Sequence, residues 1–72
     1  MLYIHVDFEY AHEAIKDIWD EEDKAKLDRT SFGISSHGVR ATVFTNDKNG
    51  LIKLYGRLVK MNVPLRVDSN SE

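Results

Sequence analysis

The chain of 72 residues contains no cysteine, so disulfide bonds and thiolate metal sites are excluded. The missing disulfides favour a reducing compartment, since small secreted domains usually depend on them. No run approaches the roughly 20 consecutive apolar residues of a membrane span. Residues 1–10 alternate apolar and polar side chains, unlike the continuous apolar core of a secretory signal. We therefore expect a cytoplasmic protein that does not associate with membranes.

Proline and glycine are also scarce, with one and four residues respectively, and 42% of the chain is hydrophobic. This composition is typical of a folded domain and unlike that of a disordered chain. The net charge is only −2, whereas dedicated nucleic-acid binders usually carry a basic excess. A chain this short buries a thin core, which is why many domains of its size depend on a partner subunit.

Two hydrophobic periods follow one another at the start of the chain. Apolar and polar residues alternate over residues 2–10, which predicts a strand with one buried and one open face. From Ala11 the spacing becomes i, i+3, i+4, i+7 and predicts an amphipathic helix that frays or bends at residues 20–23 and ends before Asp28. The residues on this spacing are Ala11, Ala14, Ile15, Ile18, Trp19, Glu22 and Ala25, and all but Glu22 are apolar.

The second half of the chain predicts a hairpin followed by another helix. Residues 30–45 have the pattern of a β-hairpin with its turn at His37-Gly38. Asn46 or Asp47 then caps a helix over residues 48–62, and Asn62 suits its C-terminal cap. The apolar stripe of this helix consists of Leu51, Ile52, Leu54, Tyr55, Leu58, Val59 and Met61.

A last short strand is predicted by Val63, Leu65 and Val67, and Pro64 places it at a sheet edge because proline donates no ladder hydrogen bond. The order β-α-β-β-α-β predicts an α+β, ferredoxin-like sandwich: a four-stranded antiparallel sheet with both helices on one face and the first and third strands in its centre. The alternative is a KH-like β-α-β-β-α layout that lacks the last strand. We expect residues 1–68 to form a single domain and residues 69–72 to be a disordered polar tail.

The open sheet face is the first candidate binding surface. It should carry Tyr3, His5, Asp7, Glu9, Arg40, Thr42 and Phe44. An exposed aromatic residue there favours a protein contact or a homodimer, while Tyr3, Arg40 and Phe44 also suit single-stranded RNA or DNA. Asp7 and Glu9 would repel phosphate. Together with His5 they are also possible ligands for a divalent cation, although pairing with Arg40 on a solvated face is the simpler interpretation.

An acidic patch on the first helix is the second candidate surface, since its charges would suit a basic partner. A solvated helix face is the simpler interpretation. The patch consists of Asp17, Asp20, Glu21, Glu22 and Asp23.

The sequence contains no coherent catalytic set: its histidines have no nucleophile in a recognisable motif, and glycine-rich phosphate loops are absent. Asp7 and Thr42-Val43-Phe44 are similar in position to residues of small ferredoxin-like nucleases, a resemblance that implies metal-dependent cleavage with Asp7 as a ligand. We predict no catalytic residue, cofactor or metal site. The leading hypothesis is a non-catalytic interaction or regulatory module that forms a homodimer or docks on a protein partner. The alternatives are a single-stranded nucleic-acid binder and such a nuclease.

Overall fold

The computed structural model describes residues 2–69. In chain order its elements are β1 (Leu2–Asp7), α1 (Phe8–Lys24), β2 (Gly33–His37), β3 (Arg40–Phe44), α2 (Lys48–Lys60) and β4 (Arg66–Ser69). The strands form one antiparallel sheet in the order β2-β3-β1-β4. The predicted α+β fold with ferredoxin-like strand order is therefore confirmed. Because the fourth strand is present, the KH-like alternative is wrong.

The hydrophobic core lies between the sheet and the two helices. Alternate residues of β1 and β3 point to this side, and within residues 2–69 the opposite side of the sheet carries no helix. Each fully buried aliphatic side chain contributes about 1.5–3 kcal/mol relative to exposure. The buried core residues are Ile4, Val6, Ala11, Ala14, Ile15, Ile18, Val43, Leu51, Leu54 and Leu58.

The boundary between β1 and α1 lies earlier than the alternation predicts. The strand ends at Asp7, and Phe8 begins the helix. The backbone N–H of Phe8 donates to the carbonyl oxygen of Val39 at 2.8 Å, which satisfies one of the amides that a helix start leaves unpaired. Phe8 fits both periods, because it stands two residues after Val6 and three before Ala11. Glu9 consequently lies in the first turn of α1 and is not on the open sheet face.

The hairpin turn is shifted by one residue from its predicted position. His37 pairs with Arg40, so the two-residue loop is Gly38-Val39. Gly38 has φ +68°, and a glycine with positive φ at the first loop position matches a type II′ turn. Val39, which the pattern placed in the strand, is 77% exposed.

The helix ends follow local chemistry. α1 continues through residues 20–23, where fraying or bending was expected, because Glu22 is buried against the following loop. The carboxylate of Asp47 accepts hydrogen bonds from the backbone N–H groups of Asn49 and Gly50, which confirms Asp47 as the N-cap of α2. Asn62 has φ +56° just beyond the helix, the left-handed conformation that ends many helices.

β4 occupies a sheet edge, as Pro64 predicts, but the strand begins only at Arg66. Ser69 pairs with Leu2 in the ladder, so the tail expected from residue 69 does not include that residue. Residues 70–72 lie outside the described residues. Within residues 2–69, neither helix combines the length and the apolar character needed to cross a membrane.

Gly33 generates a prediction about the packing of the open sheet face. A Cβ atom at this position would lie 2.3 Å from the ring of Phe44, so Gly33→Ala must displace that ring. We expect the free energy of unfolding to fall by about 1–3 kcal/mol, measured by denaturant titration. The loss should shrink in a Phe44→Leu background, where the ring is absent. Gly56→Ala is the matched control: its added Cβ meets no atom within 4 Å, so it should stabilise the helix by up to about 1 kcal/mol. Equal penalties in both backgrounds would contradict the packing argument.

Candidate functional site

The open sheet face, on the side opposite the helices, carries three rows of side chains set by the strand register. The first row contains Gly33, Phe44, Tyr3 and Asp68; the second contains Ser35, Thr42, His5 and Arg66; the third contains His37, Arg40 and Asp7. Six of the seven residues predicted for this surface are therefore together, and Glu9 is the exception. The prediction missed Asp68 and Arg66 because it placed Asp68 in or beside the tail.

Two aromatic rings form the first row. Tyr3 and Phe44 are direct cross-strand partners on the central strands. Their ring centroids lie 6.2 Å apart in an edge-to-face arrangement, which is a favourable aromatic geometry. Both side chains are half-buried, and the ring of Phe44 lies over Gly33. The row is thus a small, partly exposed aromatic platform.

A polar network fills the second row. Nδ1 of His5 is hydrogen-bonded to Oγ1 of Thr42 at 3.0 Å, and its Nε2 lies 3.2 Å from Oδ2 of Asp68. Asp68 also contacts Nη2 of Arg66 at 3.4 Å. Both ring nitrogens of His5 therefore have partners within the protein, which fixes the orientation of the ring.

The third row is dominated by an ion pair. Nη1 of Arg40 lies 3.0 Å from Oδ1 of Asp7, as the simpler interpretation of this face expects. A shallow depression of about 350 Å³ lies beside the pair and is lined in part by His5, His37 and Arg66. It gathers cationic and neutral donor groups, yet Asp7 and Asp68 offset the two arginines at its rim. A phosphate bound there would have to compete with these carboxylates.

The acidic patch on α1 is neutralised mostly from within the chain. Arg57 of α2 reaches Asp17 at 3.0 Å and also hydrogen-bonds Glu21. The hydrogen bond and the charge of Arg57 lower the pKa of the Glu21 carboxyl. Asp23 pairs with Arg29 at 2.7 Å. These contacts join α1 to α2 and to the loop after α1, so they leave little charge for a basic partner.

Glu22 is buried, although it was predicted to belong to the exposed patch. Its carboxylate accepts hydrogen bonds from the backbone N–H of Thr30 at 2.8 Å and from the Thr30 hydroxyl, and Nζ of Lys53 lies 3.5 Å away. Burial alone would raise the pKa of Glu22, but the hydrogen bonds from Thr30 and the charge of Lys53 outweigh it and lower the pKa. Among residues 2–69, Asp20 is the one member of the patch without a cationic side chain within ion-pair distance.

The α2 apolar side, defined as Ile52, Tyr55 and Val59, is the feature that the sequence argument missed. These residues were assigned to the buried stripe, yet they are 60%, 47% and 52% exposed. A helix on a sheet buries only one face, and here Leu51, Leu54 and Leu58 fill it. The sequence does contain a sign of this exposure, because the seven apolar residues between 51 and 61 are more than one helix face can bury.

The α2 apolar side points away from α1. Arg57 faces α1, and Tyr55 stands two residues earlier, about 200° around the helix axis. In the strand order, α2 links β3 to β4 and so passes over β1, on the half of the sheet that ends in β4. The exposed apolar residues therefore lie above the β4 edge.

Within the part of the chain that the structure describes, no group of three or more His, Cys, Asp or Glu side chains is placed to hold a metal ion. His5 and Asp7 share the open face, but Glu9 has left it for α1. The carboxylate of Asp7 is engaged by Arg40.

The buried carboxylate generates a stability prediction. Glu22→Gln keeps the shape but places an amide beside the two Thr30 donors, so the free energy of unfolding at pH 7 should fall by about 1–3 kcal/mol. Because the folded-state pKa is lowered, the wild-type contribution is present above the ordinary glutamate pKa of 4.5 and is lost as the pH falls through the folded value. The gap in the free energy of unfolding between wild type and variant should therefore become smaller in acid.

Denaturant titrations across a pH series would measure that gap. Asp20→Asn, on the same helix and outside any close ion pair among residues 2–69, is the control and should change stability by less than about 0.5 kcal/mol. A gap that stays constant down to the acid limit would contradict the role given to the Glu22 carboxylate.

Comparisons of the chain with protein-family models, with curated proteins and with solved structures found no match. The strand order and the side-chain contacts are therefore the observations from which function is argued.

Proposed function

We propose that this chain is a non-catalytic protein-interaction module that binds through the α2 apolar side and the adjoining β4 edge. The exposure of Ile52, Tyr55 and Val59 on one side of α2 carries the proposal. The buried centre of an interface is more apolar than its rim, and tyrosine is enriched among the residues that contribute most to binding.

The polar surfaces support the proposal by contrast. On the open sheet face, Asp7 pairs with Arg40 and Asp68 pairs with His5 and Arg66. On α1, most of the acidic patch is paired with arginines or buried. A partner that docked on either surface would have to replace contacts that already exist, whereas the α2 apolar side gains burial without losing any described hydrogen bond.

The β4 edge extends the same surface. Edge strands present unpaired backbone N–H and C=O groups that can accept another strand. Val67 pairs with the core residue Ile4, so its side chain lies on the helix side of the sheet, where it is 45% exposed. Val67 thus adds an exposed apolar side chain on the side of the sheet that the helices cover.

A photocrosslinking amino acid at position 55 of the full chain tests this surface directly. Expressed in the cells that naturally make the protein, the Tyr55 variant should form a covalent adduct with a protein. The same crosslinker at Lys16, which is exposed on α1, is the matched control and should give much less adduct. No adduct at position 55, or equal yields at both positions, would remove the proposal.

A second candidate function is binding of single-stranded nucleic acid, and the pairing of Tyr3 with Phe44 favours it. Readers of RNA with four-stranded sheets stack bases on aromatic residues of the central strands. Here the two rings are cross-strand partners on β1 and β3, with Arg66 in the second row and Arg40 in the third. The placement of these side chains supports nucleic-acid binding, whereas the carboxylates of Asp7 and Asp68 would repel the phosphate groups.

Fluorescence anisotropy with short single-stranded RNA and DNA at low salt would measure this activity. Tyr3→Ala should weaken binding by roughly 5- to 100-fold, as expected for one lost stacking contact. Asp7→Asn should strengthen binding, because it releases Arg40 from its ion pair. Tyr55→Ala lies on the other side of the molecule and should change nothing. Absence of binding at micromolar protein would end this hypothesis.

A further inference from the structure

We infer that the α2 apolar side and the β4 edge bind a second copy of this chain, through antiparallel pairing of the two β4 strands about a twofold axis. This inference rests on the proposed function and names its partner. The pairing would join two four-stranded sheets into one continuous sheet of eight strands, with the two α2 helices side by side above the junction.

The charge order of β4 carries the inference. The strand reads Arg66-Val67-Asp68, with one cation and one anion placed symmetrically about Val67. A twofold interface uses the same patch from both copies, so residue i meets j and j meets i. When two β4 strands pair antiparallel about Val67, Arg66 of each copy faces Asp68 of the other. Both charge pairs are then attractive, no like charges are opposed, and the two pairs replace the exposed 3.4 Å contact that Arg66 makes with Asp68 within each copy.

The apolar residues of the edge obey the same symmetry. Val67 lies on the helix side of the sheet and would meet Val67 of the second copy directly beneath the helices. Above it, the α2 apolar sides face each other because they point away from α1. One twofold rotation would thus cover both Val67 and the α2 apolar side. An unrelated partner would need a separate complementary surface for each.

The other sheet edge lacks these features. β2 (Gly33–His37) contains no oppositely charged pair, and Ile34 is its one apolar side chain. The helix on that half of the sheet is α1, whose outward residues are largely charged. The open sheet face also remains exposed in the β4 arrangement, so the second candidate function is not blocked by it.

A charge-swap series tests the pairing. Sedimentation equilibrium of the full chain over a concentration series should show a monomer–dimer equilibrium. Arg66→Asp would place Asp opposite Asp68 in both contacts and should weaken the dimer roughly tenfold or more. Asp68→Arg alone should do the same. The double variant R66D/D68R restores opposite charges in both contacts and should recover most of the affinity.

Two further variants keep the test decisive if a charge swap disturbs the monomer. Val67→Lys would bring two lysines together on the twofold axis and should abolish the dimer, while Gly56→Ala, which lies farther around α2, should leave it intact. Circular dichroism of each variant would confirm that the monomer is folded. A wild-type chain that stays monomeric at about 1 mM, or a dimer that both single swaps leave unchanged, would overturn the inference.

The crosslink at position 55 separates this inference from the proposed function. An adduct of twice the chain mass supports the second copy. An adduct with a different protein overturns the second copy and leaves the interaction module in place, whereas no adduct removes both.

Discussion

The buried contact between Glu22 and Thr30 fixes the relation between the two helices and the sheet. A carboxylate without its hydrogen bonds is costly to remove from water, so α1 can pack in this position only when Thr30 supplies both of its donors. Thr30 is held from other directions as well: its carbonyl oxygen accepts a hydrogen bond from the indole of Trp19 at 2.7 Å. Its methyl group leaves no room for a side chain at Gly50 of α2. The loop after α1 is thus a packed part of the core layer.

This arrangement explains why charge in the sequence is a poor guide to charge on the surface of the molecule. Once α1, the loop and α2 are joined, the acids of α1 face the basic residues of α2 and of the loop across short distances. The acidic residues of α1 and the cationic residues Arg29, Lys53 and Arg57 are two sides of one set of internal contacts. The exposed apolar side chains Ile52, Tyr55 and Val59 lie on the side of α2 that faces away from these contacts.

Much of the fold follows from the sequence because two periods and one handedness rule are enough to determine it. Alternation in β1 and β3 sets which residues face the core, and right-handed crossovers set the strand order. The boundaries do not follow, because Phe8 satisfies both periods and a hairpin loop can slip by one residue without breaking alternation nearby. The helical spacing placed Glu22 on the buried stripe, but its partner Thr30 was not predictable, since it stands eight positions away in an aperiodic segment. Six of the seven residues predicted for the open face lie there. The exposure of the α2 apolar side was missed because every apolar residue of that helix was assumed to be buried in the core.

The hydrogen bond from Phe8 to Val39 has a consequence for the order in which structure is lost. It connects the first amide of α1 to the tip of the β2–β3 hairpin, two segments about 30 residues apart in sequence. An opening of the hairpin tip therefore also uncovers the start of the helix, and the amide of Phe8 should exchange its hydrogen with solvent at the rate set by the hairpin. The two elements then belong to one cooperative unit. In this chain, the two-residue loop between β2 and β3 contributes to the protection of the first turn of the helix that follows β1.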